Sequence, residues 1–223
     1  MLKNIVFDMD GVLLDTERVY IKSWEKAATE FVAPSDMDKL RVAMKECIGR
    51  NDTDTRAYFY ETFGNDFPYD AYMGRTREFF NEIEFNEGLP LLPGVRECLT
   101  FLNEEGYNVA LATSTKESTA TRQLKALDLY KYFKYFVFGD QVEHSKPEPD
   151  IYLLAAKKIG ADPAECYAVE DSYNGIRSAY AAGMKAVMIP DLLPATEEIR
   201  KLLYMECDSL FDLMERLKSG DSL

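Results

Sequence analysis

Short apolar segments alternate with segments of helical periodicity along most of the chain, and this alternation strongly constrains the possible fold. Five segments are rich in aliphatic and aromatic residues and are bounded by polar residues or glycine: 5–7, 109–112, 135–138, 167–169 and 186–189. The helical patterns between them run up to Gly106, Gly160 and Gly183, and glycine commonly follows the last residue of a helix. Strands that alternate with helices predict right-handed βαβ units. The sequence therefore predicts an α/β fold whose core is a Rossmann-like, doubly wound parallel sheet.

One region, residues 15–88, departs from this alternation and shows no convincing strand. Apolar and aromatic residues recur there at helical spacing, for example Tyr20, Trp24 and Phe31. This pattern predicts about four helices inserted after the first strand. The expected organisation is a core domain of residues 1–14 and 89–223, with an inserted α-helical domain of residues 15–88.

The 223 residues include a single histidine, His144, together with 26 basic and 39 acidic side chains, for a net charge of −13. A zinc site with two histidines cannot form within one such chain, and a Ser-His-Asp hydrolase would have to use His144 as its base. We therefore expect carboxylates to carry proton transfer and metal binding. The acidic balance argues against a nucleic-acid partner, because nucleic-acid binding needs a basic face.

The cysteines, Cys47, Cys98, Cys166 and Cys207, are widely spaced and form no CxxC pair. This pattern is typical of reduced thiols in a cytoplasmic protein. The amino-terminal residues include acids where a signal peptide needs an apolar stretch, and no segment approaches the roughly 18 apolar residues of a membrane helix. We expect a cytoplasmic protein with no membrane partner, and a monomer, since a chain of this length can bury its own core.

The first predicted strand leads into Asp8-Met9-Asp10-Gly11. Residues two apart in an extended segment point to the same side, so Asp8 and Asp10 are expected to converge where the strand ends. Two adjacent carboxylates repel each other unless a cation lies between them, and oxygen ligands favour Mg²⁺. The alternative interpretation is a solvated acidic turn that caps a helix.

Two further groups that follow predicted strands are suited to phosphate binding. Thr113 and Ser114 come after the second strand, where hydroxyls and free backbone N–H groups can cradle a phosphate. Lys146 lies in a loop that Pro147 and Pro149 make stiff, after the third strand, where it can present a point charge. The alternatives are an ordinary helix N-cap and an exposed surface lysine.

A second acidic pair, Glu170-Asp171, follows the fourth apolar segment. These carboxylates can add ligands to a metal site or can simply cap the next helix. All four groups lie at the carboxyl ends of strands in one predicted parallel sheet, the edge where open α/β sheets bind ligands. Together they supply a nucleophilic carboxylate, a second carboxylate, a phosphate cradle, a lysine and distal acids. These are the groups that phosphoryl transfer through an aspartyl-phosphate needs.

The segment Asp8-Met9-Asp10-Gly11-Val12 resembles the first signature of the haloacid dehalogenase-like phosphatases. Thr113, Lys146 and the Glu170-Asp171 pair fall in the order and spacing of the other three signatures, so the resemblance spans nearly the whole chain. The helical insertion is similar to the C1-type α-helical cap domain of this family. Leu92-Pro93-Gly94-Val95 is also similar to the branch that contains phosphoglycolate phosphatase and β-phosphoglucomutase.

The resemblance implies a catalytic role for each matched residue. Asp8 would attack phosphorus and become the aspartyl-phosphate, while Asp10 would protonate the leaving oxygen and then activate water. Thr113 and the Ser114 backbone N–H would hold phosphate oxygens. Lys146 would neutralise charge between Asp8 and the phosphoryl group.

The resemblance also implies Mg²⁺ as the cofactor and a small phosphorylated metabolite, above all a sugar phosphate, as the substrate. The metal would be bound by Asp8, the Asp10 carbonyl oxygen and Asp171, with Glu170 either as a ligand or beside the ligands. The dehalogenase subgroup lacks the second aspartate, so the presence of Asp10 favours chemistry at phosphorus.

The cap domain is expected to set the choice of substrate, since it would close over the leaving group. Arg50 and Arg75 are candidates for contacts with distal groups of a substrate, and a solvated helix face is the equal alternative for both. Thr16 could orient Asp10, or it could be a plain N-cap of the first cap helix.

Hydrolysis has two competitors. A β-phosphoglucomutase would use the same core, but that branch carries a cap histidine shortly after its Asp-Thr pair, where this chain has Arg18-Val19-Tyr20. We therefore favour a phosphatase, with the mutase as the alternative. A receiver-like signalling protein that carries a phospho-aspartate is the remote alternative, since receivers are much shorter and have no helical insertion.

Overall fold

The computed structural model describes residues 3–47 and 52–219. Its contacts divide the chain into two compact units, with one break between Asp15 and Thr16 and the other between Leu89 and Pro90. The two ends of the chain form a unit of mixed helices and strands, whereas the segment between the breaks is helical in its described part. No helix within the described ranges is both long and apolar enough to cross a membrane.

The helical unit contains, in its described part, α1 (Thr16–Phe31), α2 (Met37–Cys47), α3 (Asp52–Phe63) and α4 (Tyr69–Glu87). Its core is largely aromatic and centres on Phe59, which is fully buried. The Phe59 ring lies 5.5 Å from the Tyr69 ring and 5.6 Å from the Tyr72 ring, centroid to centroid. Trp24 meets Phe59 edge-on at 6.3 Å. Such aromatic pairs add stability beyond the area they bury, so Trp24 contributes to the packing of this unit.

The mixed unit is built on one parallel sheet, whose strands are β1 (Asn4–Phe7), β2 (Asn108–Thr113), β3 (Tyr135–Phe138), β4 (Cys166–Glu170), β5 (Lys185–Met188) and β6 (Met205–Glu206). Their order across the sheet is β3-β2-β1-β4-β5-β6, and every neighbouring pair is parallel. This order confirms the predicted Rossmann-like fold class. Strand β6 was not predicted from the sequence, because a strand of two residues is too short to show a pattern.

Helices cover both faces of this sheet: α5 (Val95–Glu104), α6 (Glu117–Ala126), α7 (Asp150–Ile159), α8 (Tyr173–Ala181), α9 (Glu197–Arg200) and α10 (Leu210–Ser219). Val6, Ala110 and Ala168 form one core cluster with residues of α7 and α8. Ile5 and Val109, which precede two of them, are fully buried as well and point to the opposite face because side chains alternate along a strand. Burial on both faces explains why the strands read as continuous apolar runs.

The centre of the sheet determines where functional groups can meet. Strand β1 lies between β2 and β4, with Val6 opposite both Ala110 and Ala168. Because the strands are parallel, their carboxyl ends share one edge, and the chain reverses its direction of winding between β1 and β4. Ligands of open α/β sheets bind in the crevice at such a switch point. The residues after β1, β2, β3 and β4 are therefore brought to a common place.

Candidate active site

Lys146 is the electrostatic centre of this sheet edge. Its Nζ lies 3.0 Å from Asp8 Oδ1 and 2.6 Å from Glu170 Oε1, and it donates a hydrogen bond to the Ala112 carbonyl oxygen at 3.2 Å. The Lys146 side chain is only 8% exposed, so it is not the exposed surface lysine of the alternative interpretation. Burial lowers the pKa of Lys146, but Asp8 and Glu170 outweigh it, and the net shift of this pKa is upward. The buried lysine is therefore a cation at neutral pH.

Glu170, the last residue of β4, is fully buried and holds this lysine in place. Its Oε1 accepts hydrogen bonds from Lys146 Nζ and from the Tyr152 hydroxyl, each at 2.6 Å, and its Oε2 accepts one from Ser172 Oγ at 3.2 Å. Gly175 in α8 leaves room for the carboxylate, because a Cβ there would lie 2.0 Å from Glu170 Oε2. Both oxygens of this buried carboxylate thus have donors, as a buried charge requires.

Asp8, the first residue after β1, is the second carboxylate that pairs with Lys146. Its backbone N–H donates to the Val169 carbonyl oxygen at 3.0 Å, which ties it to β4. Burial raises the pKa of the Asp8 carboxyl to about 7; Lys146 opposes this shift, and Glu170 and Asp10 add to it. A negative charge at Asp8 is therefore costly in the protein alone, and a cation bound nearby would reduce that cost.

Asp10 is held by hydroxyls from the last residue of β2 and from the loop that follows it. Its Oδ2 accepts a hydrogen bond from Thr115 Oγ1 at 2.8 Å and lies 3.5 Å from Thr113 Oγ1. The side chains of Asp10 and Thr113, both singled out from the sequence, therefore meet, as the convergence of strand ends predicts.

A group of three carboxylates beside Lys146 has the chemistry of a metal site. Asp8, Glu170 and Asp171 each offer an oxygen, and these oxygens lie within 4.8 Å of one another. Gly11, at φ +76°, makes space for this group, since a Cβ there would lie 2.2 Å from Asp171 Oδ2. Negatively charged oxygens gathered at this spacing suit a hard cation such as Mg²⁺. The donor set therefore fits the cofactor that the sequence predicts.

The sequence also suggests Ser114, Thr16 and Arg50 as substrate-binding candidates. Ser114 has an exposed side chain, so its backbone N–H is the group that stays relevant to phosphate binding. Thr16 is the first residue of α1 in the helical unit. Arg50 lies outside the described residues, so its contact with a substrate stays a prediction.

Arg75, in α4, is already bound by carboxylates of its own unit. Its Nε lies 3.0 Å from both carboxylate oxygens of Glu30, and its Nη1 donates to Glu78 Oε2 at 2.7 Å. The guanidinium also stacks over the Phe79 ring, 4.0 Å from the centroid. These contacts agree with a solvated helix face, and a contact of Arg75 with a substrate stays a prediction.

Two residues that contact the site have no individual role predicted from the sequence. Thr115 was visible in the segment Thr113-Ser114-Thr115, in which alternate residues tend to share a side. Tyr152 lies in α7, 18 residues before the carboxylate that it contacts. A tyrosine on a helix face that is otherwise aliphatic is only a weak indication of a functional role, because most such tyrosines simply pack in the core.

Comparison with known proteins identifies the family. Residues 5–189 match the haloacid dehalogenase-like hydrolase family. The phosphorylated carbohydrates phosphatase of Thermotoga maritima is 35% identical over 186 residues, 83% of this chain and 84% of its own. Hexitol phosphatase B of Escherichia coli K12 is 31% identical over 188 residues, 83% of this chain and 82% of its own. A crystal structure from Thermotoga maritima that bears the provisional name β-phosphoglucomutase has 30% identity and a TM-score of 0.80, covering 97% of this chain and 99% of its own.

The chain belongs to the haloacid dehalogenase-like hydrolase family, as the resemblance of its four signatures implies. Within that family it falls in the branch of phosphatases and β-phosphoglucomutases. It is an enzyme of the phosphoric monoester hydrolase class.

Proposed function

We propose that the protein is a Mg²⁺-dependent phosphatase of phosphorylated carbohydrates, which acts through an aspartyl-phosphate on Asp8 with Asp10 as the general acid and base. One observation carries this proposal: Asp8, Lys146 and Glu170 form a buried ion cluster at the sheet's switch point. The side chains of Asp10 and Thr113 meet beside the same strand end. A lysine cation next to a nucleophilic carboxylate offsets the repulsion between that carboxylate and a phosphate.

The reaction has two steps at phosphorus. In the first, an Asp8 carboxylate oxygen bonds to phosphorus, the bond from phosphorus to the substrate oxygen breaks, and Asp10 gives a proton to that oxygen. In the second, Asp10 takes a proton from water, whose oxygen bonds to phosphorus and displaces the Asp8 carboxylate. Thr113 and the Ser114 backbone N–H hold phosphate oxygens, while Lys146 stabilises the charge on the phosphoryl group.

Mg²⁺ would be held by Asp8, Asp171 and the Asp10 carbonyl oxygen, with Glu170 bound directly or beside the ligands. When bound, such an ion supplies positive charge that allows an anionic substrate to approach a cluster of carboxylates. The three carboxylate oxygens within 4.8 Å of one another support this assignment. The hydrogen bonds from Lys146 and Tyr152 to Oε1 leave Oε2 as the better placed oxygen of Glu170 for a metal.

The substrate class and the preference for hydrolysis have separate support. Two relatives that each cover more than four-fifths of this chain are named as phosphatases, one of phosphorylated carbohydrates and one of hexitols. The mutase branch carries a histidine in its cap, whereas the single histidine of this chain is His144, which lies in the mixed unit. The His144 side chain is 60% exposed and binds Asp150, so it gives no support to the mutase. The second candidate, β-phosphoglucomutase, is supported by the similarity of the Thermotoga maritima structure with that provisional name.

We also propose that the enzyme acts as a cytoplasmic monomer without a nucleic-acid partner. The cysteines of the described chain are all free thiols and buried, as expected of a protein from a reducing compartment. The net charge of −13 opposes contact with a polyanion.

The proposed function is tested by phosphate release from a panel of hexose, pentose and hexitol phosphates and from p-nitrophenyl phosphate, each with Mg²⁺ and with EDTA. We expect turnover that depends on Mg²⁺, and its absence across the panel would overturn the proposal. Asp8→Asn should abolish release while leaving the circular dichroism spectrum unchanged. Conversion of β-glucose 1-phosphate to glucose 6-phosphate faster than phosphate release would favour the mutase.

A further inference from the structure

Thr115 lies just after β2 and has a backbone that is held on both sides. Its N–H donates to Thr113 Oγ1 at 3.0 Å, and its carbonyl oxygen accepts from the Gly139 N–H at 3.1 Å. Gly139, just after β3, approaches so closely that a Cβ there would lie 2.0 Å from the Ser114 carbonyl oxygen. The backbone of the segment that carries the Thr115 side chain is therefore fixed between the carboxyl ends of β2 and β3.

The backbone around Asp10 is held as well. The Gly11 N–H donates to the Leu14 carbonyl oxygen at 2.9 Å, and the Leu14 N–H donates to the Met9 carbonyl oxygen at 3.0 Å. Because these hydrogen bonds hold the backbone of the turn, the conformational freedom of Asp10 lies mainly in its two side-chain torsions. Asp10 is only partly buried, so side-chain hydrogen bonds are needed to select one orientation of its carboxylate.

Thr115 provides the stronger of the two described hydroxyl contacts to that carboxylate. Its Oγ1 lies 2.8 Å from Asp10 Oδ2, the usual length of a hydroxyl–carboxylate hydrogen bond. Thr113 Oγ1 lies 3.5 Å from the same oxygen, at the outer limit of a bond, and also accepts the Thr115 N–H. The orientation of Asp10 therefore depends more on Thr115 than on Thr113.

We propose that Thr115 is a positioning residue, which holds the Asp10 carboxylate in the orientation needed to give and take the proton of the reaction. This inference rests on the proposed function, in which Asp10 is the acid and the base. Thr115 touches no reacting atom in it and acts only through Asp10. Misplacing a catalytic group by about 1 Å can cost on the order of 100-fold in rate, so loss of this hydrogen bond should be measurable.

The two steps of the reaction depend on Asp10 to different degrees when the substrate is p-nitrophenyl phosphate. The p-nitrophenolate ion leaves without needing a proton, so transfer of its phosphoryl group to Asp8 is insensitive to the placement of Asp10. Breakdown of the aspartyl-phosphate still needs a base to take a proton from water. A defect confined to Asp10 therefore slows the second step and spares the first.

The test compares Thr115→Val, which keeps the side-chain shape and removes the hydroxyl, with Thr115→Ser, which keeps the hydroxyl. Rapid mixing with p-nitrophenyl phosphate and Mg²⁺ should show, for Thr115→Val, a burst of p-nitrophenolate that matches the enzyme concentration. Its steady rate should be on the order of 10-fold below wild type, a part of the 100- to 10,000-fold that general base catalysis supplies. Thr115→Ser should remain within about 2-fold of wild type.

Thr100→Val is the matched control, because it removes a threonine hydroxyl that donates to the Tyr132 hydroxyl at 3.2 Å. Tyr132 precedes the amino end of β3, whereas the site lies at the carboxyl ends of the strands. It should leave both phases at wild-type rates. A burst and a steady rate that fall equally in Thr115→Val would show a merely structural role and would overturn the proposal. Wild-type steady turnover in Thr115→Val would also overturn it.

Asp10→Asn separates this proposal from the proposed function. A full burst with almost no turnover in Asp10→Asn supports the role of Asp10, and Thr115 is then judged by its own variants. Wild-type turnover in Asp10→Asn would refute the acid and base assignment itself, and with it any positioning role for Thr115.

Discussion

Removal of the buried cation, by Lys146→Met, is the perturbation whose cost the structure defines best. Methionine has a similar length and flexibility but no charge. The substitution leaves Asp8 and Glu170 as neighbouring carboxylates without the ammonium group that lies 3.0 Å and 2.6 Å from them. We expect it to destabilise the mixed unit strongly, as well as to abolish activity.

The size of the effect follows from burial. The side chains of Lys146, Asp8 and Glu170 are 8%, 11% and 0% exposed, so water cannot replace the lost partner. Removing one member of a buried ion pair costs about 3–5 kcal/mol, whereas exposed pairs are worth about 0–1 kcal/mol. Since folded domains are stable by only about 5–15 kcal/mol, the variant should fold with a clearly lowered urea midpoint.

The assay is urea unfolding in EDTA, followed by far-ultraviolet circular dichroism. Lys131→Met is the matched control, because Lys131 pairs with Asp128 at the surface, where the two side chains are 56% and 69% exposed. Both variants lose one positive charge, so the change in net charge cancels in the comparison. Lys131→Met should lower the free energy of unfolding by less than about 1 kcal/mol.

Two further measurements sharpen the interpretation. Mg²⁺ should recover part of the stability of Lys146→Met, because it supplies a cation to the same carboxylates. Adding Glu170→Gln to Lys146→Met should also recover stability, since it removes one unpaired charge. If Lys146→Met and Lys131→Met lose equal stability, the burial of the ion cluster does not raise the cost of removing its cation, and the expected difference is refuted.

Three other outcomes are expected. Gly11→Ala should raise the Mg²⁺ concentration needed for half-maximal activity, because the new Cβ would lie 2.2 Å from Asp171 Oδ2. The control is Gly106→Ala, since Gly106 has a similar positive φ and no atom within 4 Å of an added Cβ. It should leave that Mg²⁺ concentration unchanged. Burial raises the pKa values of the Cys98 and Cys207 thiols to about 12. Both thiols should therefore react with an aromatic disulfide at pH 8 at least about 100-fold more slowly in the folded protein than in urea. Equal rates would show that these thiols are accessible. Tyr152→Phe should lower kcat with little change in KM, because Glu170 then loses a 2.6 Å hydrogen bond and holds Lys146 less firmly. A wild-type kcat would show that the hydrogen bonds from Lys146 and Ser172 are enough to hold Glu170 in place.

The strands β1 to β5 were predictable because each has buried residues on both faces. Val109, Ala110, Leu111 and Ala112 are all fully buried in β2, and a run of that kind stands out against the polar segments on either side. The two residues of β6 have no such context, since Met205 is buried and Glu206 only partly so. A strand of that length exists because β5 offers it a partner, which is a tertiary property.

The site was predictable only in part, for a similar reason. Asp8 and Lys146 could be singled out because each follows an apolar segment, and the parallel sheet then brings the strand ends together. Thr115 also follows an apolar segment, but its position alone does not state that its hydroxyl binds Asp10. Tyr152 lies within a helix and could not be assigned in the same way, because such a residue becomes part of a site through the atoms it contacts. Nothing in the sequence states that the Tyr152 hydroxyl reaches Glu170.

The sequence by itself determined the alternation of strands and helices, the place of the helical insertion and the types of chemical group that follow each strand. These are local properties, set by hydropathy, periodicity and a few signatures. Only the tertiary structure decided how the charges are shared: Glu170 binds Lys146 and Tyr152, and Asp10 is held by Thr115. The physical reason is that burial and hydrogen bonding act across space, between segments that lie far apart in the chain.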